Sequence, residues 1–132
     1  VEIRVCDIPI KFKAILALVA LIQALVIKIE KENSYFGTHI QVLQSNKWQA
    51  ARYGLEGVFV DPTTYKKLNM RKAIENLCNF IEPTIISLGS AKYIKIIEEI
   101  LDNGTGSIRQ RELCNNSNNF KYMLQFLKET FH

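Results

Sequence analysis

Residues 1–6, VEIRVC, alternate apolar and polar side chains, which is the period of a half-buried strand. Asp7 and Pro9 end that alternation. From Phe12 to Ile29 the chain is apolar except at Lys13, Gln23 and Lys28, and a helix is expected over about 11–31. EKENSYFGTH is a polar loop. A second helix is expected over about 38–53, with Gly54 as its C-terminal stop. GVFVDP reads as a short extended segment closed by Asp61-Pro62, and TTYKKLN as loop. Ala73, Leu77 and Ile81 recur at helical spacing and predict a third helix over 70–81, after which Pro83 starts or kinks a short continuation toward Leu88. Ser90 is the expected N-cap of AKYIKIIEEILDNG, whose apolar face is Tyr93, Ile94, Ile97 and Leu101 and whose stop is Gly104. GTGS is a tight loop. Ser107 is the expected cap of IRQRELC, and Asn119 or a near neighbour that of FKYMLQFLKETF. The pattern contains no internal repeat and no linker that would divide two domains. The expected architecture is one mainly α domain over 1–132 with a single N-terminal strand.

The long apolar stretch is near the length that spans a bilayer. Charges inside a span cost about 2.5–3.5 kcal/mol each near its centre, however, and Lys13 and Lys28 fall within it. It also follows a strand rather than the basic start of a signal peptide. A buried core helix is the favoured reading, with no membrane partner.

Composition narrows the class. Hydrophobic residues are 48% and charged residues 23%, which is globular rather than disordered. The net charge of +4 permits anionic ligands without demanding nucleic acid, because the basic residues are scattered. Only Lys66, Lys67, Arg71 and Lys72 form a loose cluster, expected to be solvated surface. Cys6, Cys78 and Cys114 lie far apart without a C-x-x-C pair or neighbouring His, which argues against zinc and for reduced thiols in a cytoplasmic protein. Cys78 falls in an apolar helical pattern and is expected in the core. No catalytic or ligand role is expected for the isolated His39 and His132.

Three stretches could carry chemistry. In a strand, Glu2, Arg4 and Cys6 share one face. A carboxylate beside a guanidinium suits Mg²⁺–phosphate chemistry, although spacing alone fits an exposed ion pair better. In NKWQAARYG, residues 46–54, Trp48 and Arg52 are i,i+4 neighbours on a helix, so the indole could brace the guanidinium toward a phosphate or carboxylate, or simply stack on it at the surface. In GTGSIRQR, residues 104–111, two glycines before a helix can expose N–H groups to an anion, with Arg109 or Arg111 nearby but only one of them facing inward. A plain helix–helix connection fits that spacing better. None of the three makes a complete active site.

In this order, V-E-I-R-V-C-D, N-K-W-x-A-A-R-Y-G-L-x-G-x-x-x-D-P, L-G and D-N-G-T-G-S-I-R-Q-R, with a final helix ending in E-T, resemble the C-terminal part of the carboxylate–amine ligases of the type-2 glutamate–cysteine ligase family. The resemblance runs the whole length, and NKWQAARYG is its most specific portion. It implies the helical C-terminal portion of a glutamine-synthetase-like α+β catalytic domain. It implies ATP and Mg²⁺ as cofactors, an acyl phosphate formed on a substrate carboxylate, and attack on it by an amine. Carried over residue by residue, Glu2 matches a metal-binding carboxylate, and Arg4 matches an Arg on the phosphoryl group or substrate carboxylate. Arg52 is the next anion contact, followed by Arg109 or Arg111, while Trp48 and Tyr53 are structural. The chain opens inside a strand without an initiator Met, so it is expected to be part of a longer enzyme and inactive alone. Its expected partners are the upstream catalytic portion, small amino-acid substrates and a second copy of itself. The alternative is a non-catalytic helical module that dimerises through its strand and apolar helix.

Overall fold

A computed structural model describes residues 3, 6, 9–32, 37, 39–117 and 120–130. Among them are six helices and one hairpin: α1 (Phe12–Glu32), α2 (Ile40–Tyr53), a single 3₁₀ turn (Gly54–Glu56), β1 (Val58–Val60), β2 (Lys67–Asn69), α3 (Met70–Ser87), α4 (Lys92–Asn103), α5 (Gly106–Ser117) and α6 (Phe120–Thr130). The mainly α expectation holds. The strand expected over 1–6 lies mostly outside the described residues, Glu2 and Arg4 included.

The core forms where α1 crosses α3 and α4. Ala14, Ala17, Ala20 and Ala24 recur every three to four residues and make one buried stripe along α1. Small side chains there let the neighbouring helices come close. Ala20 and Ala24 meet Ile81 and Ile85 of α3, and Ala17 meets Cys78 and Ile97. Burial of Ile81 and Ile85, both fully enclosed, contributes roughly 1.5–3 kcal/mol each. α1 is long and apolar enough to cross a membrane, yet its alanine stripe is inside the protein, while Phe12 and Val19 on other faces are exposed.

α3 joins the expected helix over 70–81 and its expected continuation toward Leu88 into one element. It runs through Pro83 without a break to Ser87. Proline removes one N–H from the helical ladder, but Ile81 and Ile85 on either side of it are buried against Ala20 and Ala24 of α1, and Thr84 is buried as well. Burial thus carries the helix past the residue that would end it in isolation. The opposite end follows local rules, since the Asn69 side chain accepts from the Arg71 N–H at 2.8 Å.

Two expected caps shift. α4 begins at Lys92 after Ala91, with no side-chain cap; the Ser90 hydroxyl points back to the Leu88 carbonyl, at 3.4 Å. α5 begins at Gly106, so Ser107 lies inside its first turn, and the Thr105 carbonyl accepts from Ile108 and Arg109. The stretch expected as loop also holds a strand. Lys67–Asn69 pairs antiparallel with Val58–Val60, with Phe59 opposite Leu68. Asp61 Oδ1 accepts from the Thr63 and Thr64 N–H groups at 2.8 and 2.7 Å, which folds the connection, and Tyr65 completes it with a left-handed φ of 57°.

Candidate functional site

The stretch NKWQAARYG builds a structural joint. Asn46 and Gln49 are i,i+3 neighbours on α2 and face the outer edge of β1. Asn46 Nδ2 donates to the Val60 carbonyl at 2.8 Å, and the Val60 N–H donates back to Asn46 Oδ1 at 2.8 Å. The Val58 N–H donates to Gln49 Oε1 at 3.1 Å. Two amide side chains therefore act as a third strand and close the hairpin edge. The ring partner of Trp48 is Tyr53, edge-on at 5.5 Å, rather than the Arg52 guanidinium expected to stack on it. Arg52 is exposed at the last turn of α2.

The GTGS region behaves differently. It forms one wall of a cleft of about 500 Å³ between the start of α1, the end of α4, and helices α5 and α6. Gly104 enters the turn at φ 83°, a left-handed conformation that a side chain would resist. Gly106 lies under Ile10: a Cβ there would sit 2.9 Å from Ile10 Cδ1. Lys11, Lys13 and Arg109 supply cations, and Glu99 supplies a carboxylate. Leu18, Ile96, Ile100 and Phe126 make the apolar walls. Among the described residues no ion pair engages Lys11, Lys13 or Arg109. Free cations beside a glycine turn at the start of a helix can bind phosphate or carboxylate.

Of the expected anion contacts, Arg109 is half-buried and lines this cleft. Arg111 does not. It folds back along its own helix, with Nε donating to the Ser107 carbonyl at 3.2 Å. Arg52 is not part of the cleft lining either, and Glu2 and Arg4 lie outside the described residues. Lys11, Lys13 and Glu99 were not singled out from sequence. Lys13 had a signal, as the charge that interrupts an apolar run, but Glu99 looks like any exposed carboxylate of an amphipathic helix.

Elsewhere, the hairpin-turn amides hold the Asp61 carboxyl below the usual carboxylate range; the Thr64 N–H is the larger cause and the Thr63 N–H the next. Burial pushes the Cys78 thiol up, and Glu98 and Glu75 add to that, so Cys78 remains a neutral core thiol. The cationic rim of the cleft fits a nucleotide phosphate. A divalent cation finds less: no three His, Cys, Asp or Glu side chains gather among the described residues. Mg²⁺ would draw on carboxylates beyond them, with Glu2 the expected one.

The family model for glutamate–cysteine ligase family 2 (GCS2) matches residues 1–126. The chain belongs to this family. It is 31% identical over 132 residues to a protein of Solibacter usitatus named "Putative glutamate--cysteine ligase 2", an alignment covering 97% of the chain and 34% of that protein. A protein of the same name from Gloeobacter violaceus is 35% identical over 121 residues, covering 89% of the chain and 32% of that protein. The chain thus spans about a third of the length of these glutamate–cysteine ligase relatives, as the C-terminal portion of a longer ligase would.

Proposed function

We propose that this chain is the C-terminal portion of an ATP-dependent carboxylate–amine ligase that works through an acyl phosphate, and that the cleft beside the GTGS turn holds an anionic group of its substrates. The observation that carries this reading is a set of cations, Lys11, Lys13 and Arg109, without ion pairs among the described residues, around a glycine turn in a chain of this family. ATP, with Mg²⁺, would supply the phosphoryl group that activates the carboxylate. The chain's own residues bind and orient: Arg109 offers a planar fork, Lys11 and Lys13 neutralise charge, and Leu18 and Phe126 limit water. The upstream portion and a second copy are its proposed partners, and the cytoplasm its proposed location.

The test is phosphate release with ATP, Mg²⁺, glutamate and a panel of amines, run on this chain and on its longest in-frame extension. Amine-dependent release by the extension alone is expected. Losing a charge-assisted contact should lower the rate about 10- to 100-fold in Arg109→Ala. Release by neither protein would reduce the family relation to ancestry and favour the interaction module.

A further inference from the structure

The cleft combines three chemistries that a phosphate alone does not use. Lys11, Lys13 and Arg109 offer positive charge to a carboxylate. Glu99, three residues after Ile96 on α4, is a carboxylate lining the same space and could hold an ammonium group. The aliphatic side chains of Leu18, Ile96 and Ile100 and the ring of Phe126 line the same cleft. We propose that this cleft receives the amine substrate of the ligation, and that this substrate is an α-amino acid with a bulky apolar side chain. The inference rests on the ligase reading and narrows its substrate.

A second carboxylate, as in glutamate, would be driven against apolar walls and lose hydration there. Glycine or cysteine would leave most of a space of about 500 Å³ wet. Leucine or phenylalanine would match all three chemistries: carboxylate to the cations, ammonium to Glu99, and side chain to the aliphatic walls and Phe126. Burying such a side chain is expected to tighten binding about 10- to 100-fold over glycine.

The test is direct binding without ATP to the longest in-frame extension of this chain, read by amide shifts of residues 104–109 on titration with phenylalanine, leucine, cysteine, glycine and glutamate. Phenylalanine and leucine should bind at least about 10-fold more tightly than glycine and glutamate. Phe126→Ala should erase the preference by weakening phenylalanine and leucine toward the affinity of glycine. Glu99→Gln should weaken leucine but not N-acetyl-leucine, which has no ammonium, and that separates a specific contact from a fold defect. Equal binding of glycine and leucine, or no binding of either, would overturn the proposal. Leucine binding with no turnover by the extended protein would instead sink the ligase reading and leave the site standing.

Discussion

α1 and α2 are held in place by opposite means. α1 buries four alanines against two helices, and its attachment is apolar contact. α2 buries no residue and is fixed chiefly through the amides of Asn46 and Gln49 on the edge of β1. Apolar attachment is spread over many atoms, tolerates small shifts, and shows in a sequence as periodicity. Amide attachment depends on a few groups in register, and nothing in the letters N-K-W-Q distinguishes a strand clamp from a ligand site. The most specific stretch of the family resemblance is therefore a joint in this structure, whereas the weaker G-T-G signal marks the cleft.

The largest effect should come from the α1 side. Ile81 is fully buried against Ala20 and Ala24, so Ile81→Ala opens a cavity that rigid neighbours fill only in part. A loss of about 2–5 kcal/mol is expected in urea unfolding, with an unchanged denaturant slope. A loss below about 1 kcal/mol would mean that the alanine stripe is not the main attachment of α1.

Asn46→Ala probes the other attachment. It leaves the Val60 N–H and carbonyl without their partners in a half-buried place, at an expected cost of about 1–3 kcal/mol. The change should be local as well as global, since the Val60 amide should exchange with solvent faster while the Ile81 amide keeps its relative protection. Unchanged exchange at Val60 would show the clamp to be idle.

These two regions also show what could be read beforehand. α1, the end of α2 at Gly54 and the end of α4 at Gly104 were legible, because long periodic runs and glycine stops are local signals. β2 was not, since three residues cannot display a period and the left-handed turn residue is Tyr65 rather than glycine. The continuation of α3 toward Leu88 was legible too, but not its unbroken passage through Pro83, because burial of Thr84 and Ile85 outweighs the proline. In the site, helical spacing separated Arg109 from Arg111 as inward and outward alternatives. It could not bring Lys11, Lys13 and Glu99 to them, because those residues meet only when α1 and α4 pack.

A smaller effect is expected at the joint between the hairpin side and the cleft side. Arg71 donates to Glu56 Oε1 through Nη2 at 2.8 Å and Nε at 3.2 Å, and through Nη1 to the Leu101 carbonyl near the end of α4. The Glu56 side chain is 66% exposed, so the ion pair itself contributes little. Arg71→Lys keeps the charge and loses the fork, and a change of under about 1 kcal/mol is expected, nearly independent of salt. Strong salt dependence would show that charge rather than the carbonyl contact joins the two halves.

The smallest effect separates a turn from a charge. Asp61 accepts two backbone N–H bonds, and its carboxyl is held below its usual range by them. A group whose pKa is lowered on folding stabilises the fold above its unfolded pKa, and that contribution is lost as pH falls through the folded value. The window therefore lies at and below the ordinary carboxylate range, about pH 4. Asp61→Asn keeps an oxygen for both amides, so the hairpin should form as before. The acid limb of the stability profile should become shallower, and stability at neutral pH should fall by the small contribution that the Asp61 protein loses in acid. If the variant instead unfolds the hairpin at neutral pH, read from the Phe59 and Leu68 amides, the negative charge itself holds the turn. The hairpin to which α2 is clamped would then rest on electrostatics rather than on oxygen geometry.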